Sequence, residues 1–158
     1  MELSLRFAKP NDTPLILQFI RELADYEKLL GEVVADEETL KESLFKDQRG
    51  PEVLIAEEGE KPVGFVLFFH NFSTFLGRKG IYIEDLYVRP EWRGKGYGEA
   101  ILKRVCQIAQ ERNCGRVEWW VLDWNERAIN FYKKIGSVPM SEWTVFRLNE
   151  PVLKSLAQ

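Results

Sequence analysis

A chain of 158 residues with 45% hydrophobic and 13% aromatic residues is long and apolar enough to form one globular domain with its own core. Its apolar runs fall short of the roughly 18 residues that a membrane span needs, so no membrane segment is predicted. The N-terminus lacks a basic region followed by an apolar one, so no secretory signal is expected. Cys106 and Cys114 have no metal-ligand spacing and are expected to be reduced thiols in the cytoplasm, with no metal site.

Charge is unevenly distributed along the chain. Residues 1–60 hold 15 acidic and 7 basic side chains, a net charge of −8, while residues 61–158 have a net charge of +5. Two interpretations stay open: ordinary surface solvation, or an acidic half that meets a cationic substrate and a basic half that meets an anionic cofactor. Nucleic acid is a poor fit as a partner, because the chain carries a net charge of −3 and its basic residues are interspersed with acids.

The first predicted helix carries an unexpected acid. Thr13, as N-cap, and Pro14 start this helix, and an apolar stripe follows at helical spacing as far as Leu23. Continuing the stripe reaches Tyr26 and Glu27, although a simple amphipathic helix would have apolar residues there. Either the helix frays and Glu27 is exposed, or Glu27 is a carboxylate directed at a site beneath the helix end.

The predicted elements mix strands and helices along the whole chain, without repeats or linkers. In chain order they are a strand at 3–7, helices at 13–26 and 36–46, strands at 53–57, 63–69 and 80–88, a helix at 97–112, a strand at 116–122, a helix at 126–135 and a strand at 143–148. Residues 70–79 are predicted as a loop in which His70 is structural, and the tail from residue 150 as a short helix or a frayed end. This order predicts one α/β domain over residues 1–158, with a mixed, mostly antiparallel sheet flanked by helices.

Residues 81–98 combine an acid-bearing strand with a glycine-rich turn. Glu84 and Asp85 lie within an apolar strand, where burying charge without a partner is costly. A regular strand would direct these two side chains to opposite faces unless a bulge intervenes. The turn that follows reads Arg93-Gly94-Lys95-Gly96-Tyr97-Gly98. Its glycines let backbone N–H groups approach a ligand where a helix begins, which favours phosphate oxygens and predicts an enzyme with a phosphorylated cofactor.

Two motifs carry a family resemblance. The turn lacks both the Walker A pattern and the spacing of a dinucleotide fingerprint, but it fits Arg/Gln-x-x-Gly-x-Gly/Ala. This is the acyl-CoA pyrophosphate loop of the GNAT N-acetyltransferase superfamily, which the chain resembles, and residues 125–136 resemble the superfamily's second signature. Residues 22–27, 82–88 and 122–128 are similar to the diamine acetyltransferase family, the branch of the thialysine and spermidine/spermine enzymes.

The resemblance implies acetyl-CoA as cofactor and a homodimer with the amine site near the subunit boundary. The residues assigned to the cofactor are Leu86, Tyr87, Val88, Arg93, Gly94, Lys95, Gly96, Tyr97, Gly98, Glu99, Asn125, Glu126, Arg127, Ala128 and Tyr132. The residues assigned to the amine are Tyr26, Glu27, Glu84, Asp85, Glu118, Trp119, Trp120 and Glu142.

Acetyl transfer to an amine calls for residues of these types. An alkyl ammonium, with a pKa of about 10.4, must lose a proton before it attacks a thioester. Glu84 is predicted as the base and Asp85 as a charge partner for the substrate or a neighbouring side chain; an ion pair between Glu84 and an arginine is the competing interpretation. Tyr132 is predicted to protonate the departing thiolate, unless it is a core tyrosine on its helix.

Departures from the family bear on the acceptor. Ser73 and Phe75 stand where the polyamine enzymes carry an acid and a tryptophan, and the segment before Trp143 is a few residues short, which leaves the role of Glu142 open. Both differences favour a short amine such as thialysine over spermine. Two further functions stay open: acetylation of a protein lysine or N-terminal amine, and non-catalytic binding of acyl-CoA.

Overall fold

The computed structural model describes residues 2–158. The chain divides into two compact units, Met1–Trp120 and Val121–Gln158. In the part that is described, no helix is both long enough and apolar enough to cross a membrane.

The first unit contains a five-stranded sheet and three α-helices among its described residues. In chain order its elements are β1 (Leu3–Phe7), α1 (Thr13–Tyr26), α2 (Glu37–Phe45), β2 (Glu52–Glu58), β3 (Lys61–Ser73), β4 (Arg78–Val88), α3 (Tyr97–Glu111) and β5 (Val117–Trp119). The strands lie in the order β1-β2-β3-β4-β5; the first four pair antiparallel, and β5 pairs parallel with β4. The predicted α/β fold, with a mixed and mostly antiparallel sheet flanked by helices, is confirmed.

Each face of the sheet carries a hydrophobic core. Helix α3 covers one face, against Val66 and Phe68 of β3, and helices α1 and α2 cover the other, against Phe65 and Leu67. Successive residues of β3 therefore alternate between the two cores. Because both faces are buried, this strand has the continuous apolar sequence that predicted it.

The start of α1 differs from the prediction by one residue. Asp12, not Thr13, is the N-cap residue, and its side chain makes no capping bond. The Asp12 carboxylate instead pairs with Arg6 of β1, at 2.8 Å between Oδ2 and Nη1. Helix α2 has a capping bond, since Asp36 accepts a hydrogen bond from the backbone N–H of Thr39 at 2.8 Å.

The prediction of a loop at residues 70–79 is wrong. Strand β3 continues to Ser73 and β4 begins at Arg78, so only four residues turn between them. Gly77 ends this turn with a φ of 67° and donates its N–H to the Ser73 carbonyl at 2.8 Å. The hairpin extends beyond the hydrophobic core, so its polar residues lack the apolar alternation by which a strand is recognised in sequence.

The second unit is helical among its described residues, with α4 (Glu126–Lys134) and α5 (Glu150–Leu156). The predicted strand at residues 143–148 is wrong: this segment forms neither strand nor helix. Its aromatic and β-branched residues favour a strand, but the described part of the unit contains no other strand to pair with its backbone. The tail forms a helix rather than a frayed end. In the first unit, β5 is shorter than predicted, since it covers Val117–Trp119 and not residues 116–122.

Candidate active site

The turn between β4 and α3 is open on the side of its glycines. Gly94 and Gly96 both adopt a φ of 81°, which glycine favours, and a Cβ at either position would meet no atom within 4 Å. Gly96 is the N-cap of α3 and has no side chain to cap the helix. Gly98 and Glu99 lie in the first turn of α3. The first backbone N–H groups of a helix have no partner within the helix, and such groups bind phosphate oxygens well.

Lys95 and Tyr97, both assigned to the cofactor, are bound to an acid that the sequence did not single out. Glu58, the last residue of β2, accepts a hydrogen bond from the Tyr97 hydroxyl and lies 3.8 Å from Lys95 Nζ. The bond to Glu58 raises the pKa of the Tyr97 hydroxyl. Lys95 Nζ also lies 4.6 Å from the centroid of the Trp92 ring. Glu58 precedes Tyr97 by 39 residues, so no local pattern indicated this contact.

Arg93 joins the residues assigned to the cofactor to those assigned to the amine. Its Nε donates to the Val88 carbonyl at 2.9 Å, and its guanidinium carbon lies 4.7 Å from the centroid of the Tyr26 ring. Tyr26 is the last residue of α1. The guanidinium therefore contacts the end of a helix that is distant in sequence.

The free edge of β4 offers backbone groups next to the glycine turn. Strand β5 pairs with β4 only from Ile81 to Ile83. Beyond Ile83, that edge of β4 has no strand neighbour among the described residues of the first unit. The side chains of Tyr87 and Val88 are buried and that of Leu86 packs partly buried against the α3 core. What these three residues can offer a ligand is main-chain N–H and C=O groups.

Strand β4 contains a bulge at its two acids. Leu67 lies opposite Asp85 and Phe68 opposite Ile83, so Glu84 has no partner residue on β3. Ile83 and Leu86 both pack on the α3 side of the sheet. Glu84 and Asp85, which lie between them, therefore both fall on the α1 side. The strand is therefore not regular, and the exception named from the sequence, a bulge that interrupts the alternation, applies to these two acids.

The pKa of Asp85 is strongly perturbed. Burial, together with the nearby charges of Glu84 and Glu27, raises the pKa of the Asp85 carboxyl to about 7. Burial also raises the pKa of Glu27, which follows α1 as its C-cap residue. Burial, with the charges of Glu84 and Asp85, raises the pKa of the Tyr82 phenol.

These acids have no ion-pair partner among the described residues of the first unit. Within residues 2–120, none of Glu27, Glu84 and Asp85 forms an ion pair. The competing interpretation of Glu84 as half of a structural ion pair is therefore not seen in this part of the chain. Helix α1 ends at Tyr26, and Glu27, which follows it, is only partly exposed. The charge of Glu27 helps to raise the pKa of Asp85. Both observations agree with the interpretation of a site beneath the helix end. Clustered carboxylates of this kind favour a positively charged ligand.

The other assigned amine residues of the first unit lie around Tyr82. Glu118 is opposite Tyr82 in the pairing of β4 with β5, and the Trp120 ring lies edge-on to the Tyr82 ring at 5.8 Å. The Glu118 carboxylate binds Asn71 Nδ2 and Arg116 Nε, each at 3.1 Å. Glu118 thus has an ion-pair partner in Arg116, which Glu27, Glu84 and Asp85 lack within the first unit's described residues. Trp119 packs against the α3 core.

The assigned residues of the second unit lie on α4 or follow it. Asn125 is the N-cap of α4, and its side chain accepts a hydrogen bond from the backbone N–H of Ala128 at 3.3 Å. Glu126 and Arg127 complete the first turn of that helix. Tyr132 lies partly buried on α4 with its ring 5.6 Å from that of Phe131, and Glu142 is in an exposed turn.

His70 has both ring nitrogens occupied. Its Nδ1 lies 3.1 Å from the Gly80 carbonyl and its Nε2 lies 2.9 Å from Nη1 of Arg112. Arginine can only donate, so Nε2 is the acceptor and Nδ1 carries the proton. These contacts agree with the predicted structural role.

Comparison with known proteins decides the family. The model described as "Acetyltransferase (GNAT) family" matches residues 18–136. The chain belongs to the GNAT acetyltransferase family. It is 39% identical to a thialysine N-epsilon-acetyltransferase of Bos taurus, over 97% of this chain and 96% of the relative. It is 31% identical to an L-ornithine N5-acetyltransferase of Arabidopsis thaliana, over 96% of this chain and 86% of the relative.

A solved structure is also similar to this chain in fold and sequence. An integron cassette protein from the mobile metagenome of V. cholerae is 29% identical, with a TM-score of 0.80 over 100% of this chain and 99% of that chain. As a GNAT acetyltransferase the protein is an acyltransferase, and its acetyl donor is acetyl-CoA. The open glycine turn fits the pyrophosphate of this donor, and the unpaired edge of β4 fits its amide-bearing arm.

Sequence reasoning missed two residues that hold α1 against the β4–α3 connection. Glu22 and Arg89 form an ion pair at 3.0 Å between Oε2 and Nη2. They are 67 residues apart, and neither lies in the glycine turn or among the clustered acids. The one local signal was a charged residue, Arg89, directly before a proline at the end of an apolar strand.

Proposed function

We propose that this GNAT enzyme transfers acetyl directly to a small primary amine, either a thialysine-like amino acid or a diamine or polyamine. The observation that carries the proposal is the cluster of Glu27, Glu84 and Asp85 on the α1 side of the sheet, with no ion pair among the described residues of the first unit. An ammonium group supplies the positive charge that this cluster lacks. The relatives named for thialysine and L-ornithine support an amine acceptor of this size.

Bound acetyl-CoA supplies the acetyl group as an activated thioester. Glu84, exposed at the bulge, accepts the proton that the ammonium must lose, directly or through water. Asp85 holds the charge of the amine on the same side. Main-chain N–H groups on the unpaired edge of β4 are suited to polarise the carbonyl oxygen. Tyr132 is assigned the role of proton donor to the departing thiolate, on the resemblance of residues 125–136 to the family's second signature.

The wider assignments complete the proposal. Residues 1–158 form one N-acetyltransferase domain, which is supported by a family match that runs across Trp120 and by relatives that align over nearly the whole chain. The enzyme acts as a homodimer, as in the diamine acetyltransferases that it resembles. Two free thiols, Cys106 and Cys114, suit a reducing compartment such as the cytoplasm.

The test is release of CoA thiol from acetyl-CoA in the presence of single amines. Thialysine, lysine, ornithine, putrescine and spermidine are supplied in turn, with acetyl-CoA alone as the blank. At least one short amine is expected to raise thiol release well above the blank, and Glu27→Gln to raise the KM for that amine. The exposed ion pair of Glu42 with Lys46 offers a matched control, Glu42→Gln. If no amine raises thiol release, the proposal fails; acetylated peptides would then indicate a protein acceptor, and binding without turnover a sensor.

A further inference from the structure

Glu22 on α1 is the centre of a network that extends to Arg93, the first residue of the glycine turn, and contains none of the clustered acids. One carboxylate receives three hydrogen bonds: from Arg89 Nε at 3.1 Å, from Arg89 Nη2 at 3.0 Å and from the Tyr87 hydroxyl at 3.1 Å. The Glu22 and Arg89 side chains are only 28% and 19% exposed. A paired fork of this kind fixes both side chains in one geometry.

Arg89 is held on its other sides as well. Its Nη1 donates to the Pro62 carbonyl at 2.9 Å, and its guanidinium lies 4.8 Å from the centroid of the Phe19 ring. Arg89 directly follows β4 and precedes the 3-10 turn Pro90–Trp92 that leads into the glycine turn. The pair with Glu22 therefore joins α1 to the start of the connection between β4 and α3.

Arg93 makes a second link between the same two parts of the structure. It leaves the 3-10 turn as its C-cap residue, donates to the Val88 carbonyl and stacks on Tyr26. Its guanidinium also lies 5.8 Å from the Tyr87 ring, whose hydroxyl binds Glu22. The two links share Tyr87, so they form one network. We call this network the arginine bridge: Arg89 and Arg93 with Glu22, Tyr26 and Tyr87.

The arginine bridge lies next to Glu27, one of the acids assigned to the amine. Glu22 lies about one helical turn before Tyr26 and Glu27. Glu27 contributes to the raised pKa of Asp85, so the position of the last turn of α1 decides how the acid cluster is assembled. We propose that Glu22 and Arg89 are positioning residues, which hold the last turn of α1 and its Glu27 at a set place relative to the acids of β4 and the cofactor turn.

This proposal rests on the function proposed above, since it assigns the network to the binding of the amine. It predicts that loss of the pair weakens binding of the amine but not binding of CoA. Loss of the pair frees the last turn of α1, while the glycine turn keeps its backbone geometry and the start of α3. The amine site should then weaken and the cofactor site should not.

The first experiment separates KM from cofactor affinity. Glu22→Gln keeps the size of the side chain and removes its charge. We expect an amine KM about tenfold higher, because small displacements of positioning groups have large kinetic effects, and a CoA dissociation constant within about twofold of wild type. Glu42→Gln, which removes an exposed ion pair on α2, should change neither quantity. Equal losses of amine and CoA affinity, or an unchanged amine KM, would overturn the proposal.

Two partner variants test whether the residues act together. Arg89→Gln should reproduce the effect of Glu22→Gln, and the double variant should be no worse than either single variant, since one interaction is lost in all three. Arg89→Lys, which retains the charge without the fork, should recover part of the amine affinity. Additive effects in the double variant would show that the two residues do not act as one unit.

A readout without turnover keeps this test independent of the proposed reaction. Amide hydrogen exchange in residues 23–29 should become faster in Glu22→Gln, with no change in residues 94–99. If wild-type protein acetylates no small amine and this local increase is still observed, the proposed function fails and the positioning role stands. Unchanged exchange in residues 23–29 overturns the positioning role whatever the activity.

Discussion

Glu84 and Asp85, neighbours in sequence, lie on the same side of β4. The bulge opposite Leu67 and Phe68 inserts Glu84 as an extra residue, so the alternation of side chains is interrupted at this point. The consequence is a difference between the two acids: Glu84 is exposed, while Asp85 is largely buried and close to two other carboxylates. With its pKa raised to about 7, Asp85 is only partly ionised near neutral pH until a positive charge binds beside it.

Replacing Asp85 should change how stability depends on pH. Because the pKa of Asp85 is raised to about 7, the folded protein keeps a proton that the unfolded chain releases near pH 4. The wild-type free energy of unfolding therefore falls as pH rises from about 4 to about 7. In Asp85→Asn this contribution is absent. The stability of the variant relative to wild type should increase over that window by on the order of 2–4 kcal/mol.

Urea denaturation of both proteins at pH 4.5 and 7.5 measures this difference. The comparison between variant and wild type cancels the slopes that other acids contribute. Glu42→Gln, at an exposed acid, serves as the control and should show no such change. A constant difference between Asp85→Asn and wild type across the two pH values would rule out a buried, proton-holding Asp85.

Replacing Glu84 should affect the rate rather than the stability. Without a base, a protonated amine cannot react, so Glu84→Gln should lower kcat/KM for the amine by about 10²-fold near pH 7. Part of the activity should return as pH rises, because the free amine is then present without enzymatic assistance. The pH–rate profile from pH 6 to pH 10 is the measurement. A profile with the wild-type shape would remove Glu84 from the role of base.

The backbone of Gly96 should matter for cofactor binding beyond its effect on stability. Gly96→Ala places a side chain at a φ of 81°, which costs about 1 kcal/mol of stability. Gly77→Ala, in the β3–β4 turn at a φ of 67°, introduces similar strain far from the cofactor turn. Both variants should lose similar stability in thermal unfolding. Only Gly96→Ala should raise the dissociation constant of CoA in calorimetry, by about five- to tenfold. Equal CoA affinity in the two variants would contradict the assignment of this turn.

Gly64 should be intolerant of any side chain. A Cβ at this position would lie 2.3 Å from the Tyr87 carbonyl oxygen and 3.2 Å from the Val88 Cα, both of which belong to the backbone of β4. Because backbone cannot move aside as a flexible side chain does, Gly64→Ala should destabilise the protein by about 3 kcal/mol. Gly31→Ala, where a Cβ meets nothing within 4 Å, should have an effect within about 0.5 kcal/mol. Denaturation midpoints of the two variants decide the prediction.

Prediction from sequence succeeded where the signal was local. The glycine turn at residues 93–98 was predicted because glycine spacing and the following amphipathic helix lie within one segment, and Gly94 and Gly96 do adopt the left-handed backbone. The predicted helix starts at residues 36 and 126 lie within one residue of the observed starts of α2 and α4, which Asp36 and Asn125 cap. Prediction failed at residues 143–148, because residues with high strand propensity form a strand only where another strand pairs with them.

The sequence by itself determined the family, the order of most elements and the glycine turn, since each depends on residues within a few positions of one another. The tertiary structure alone decided that Glu84 and Asp85 share one side of the sheet, because that depends on which residues of β3 lie opposite them. It also decided that Asp85 is the buried acid and that Glu22 meets Arg89 across 67 residues. Pairing register and burial are set by contacts between distant segments, which no local pattern of residue types records.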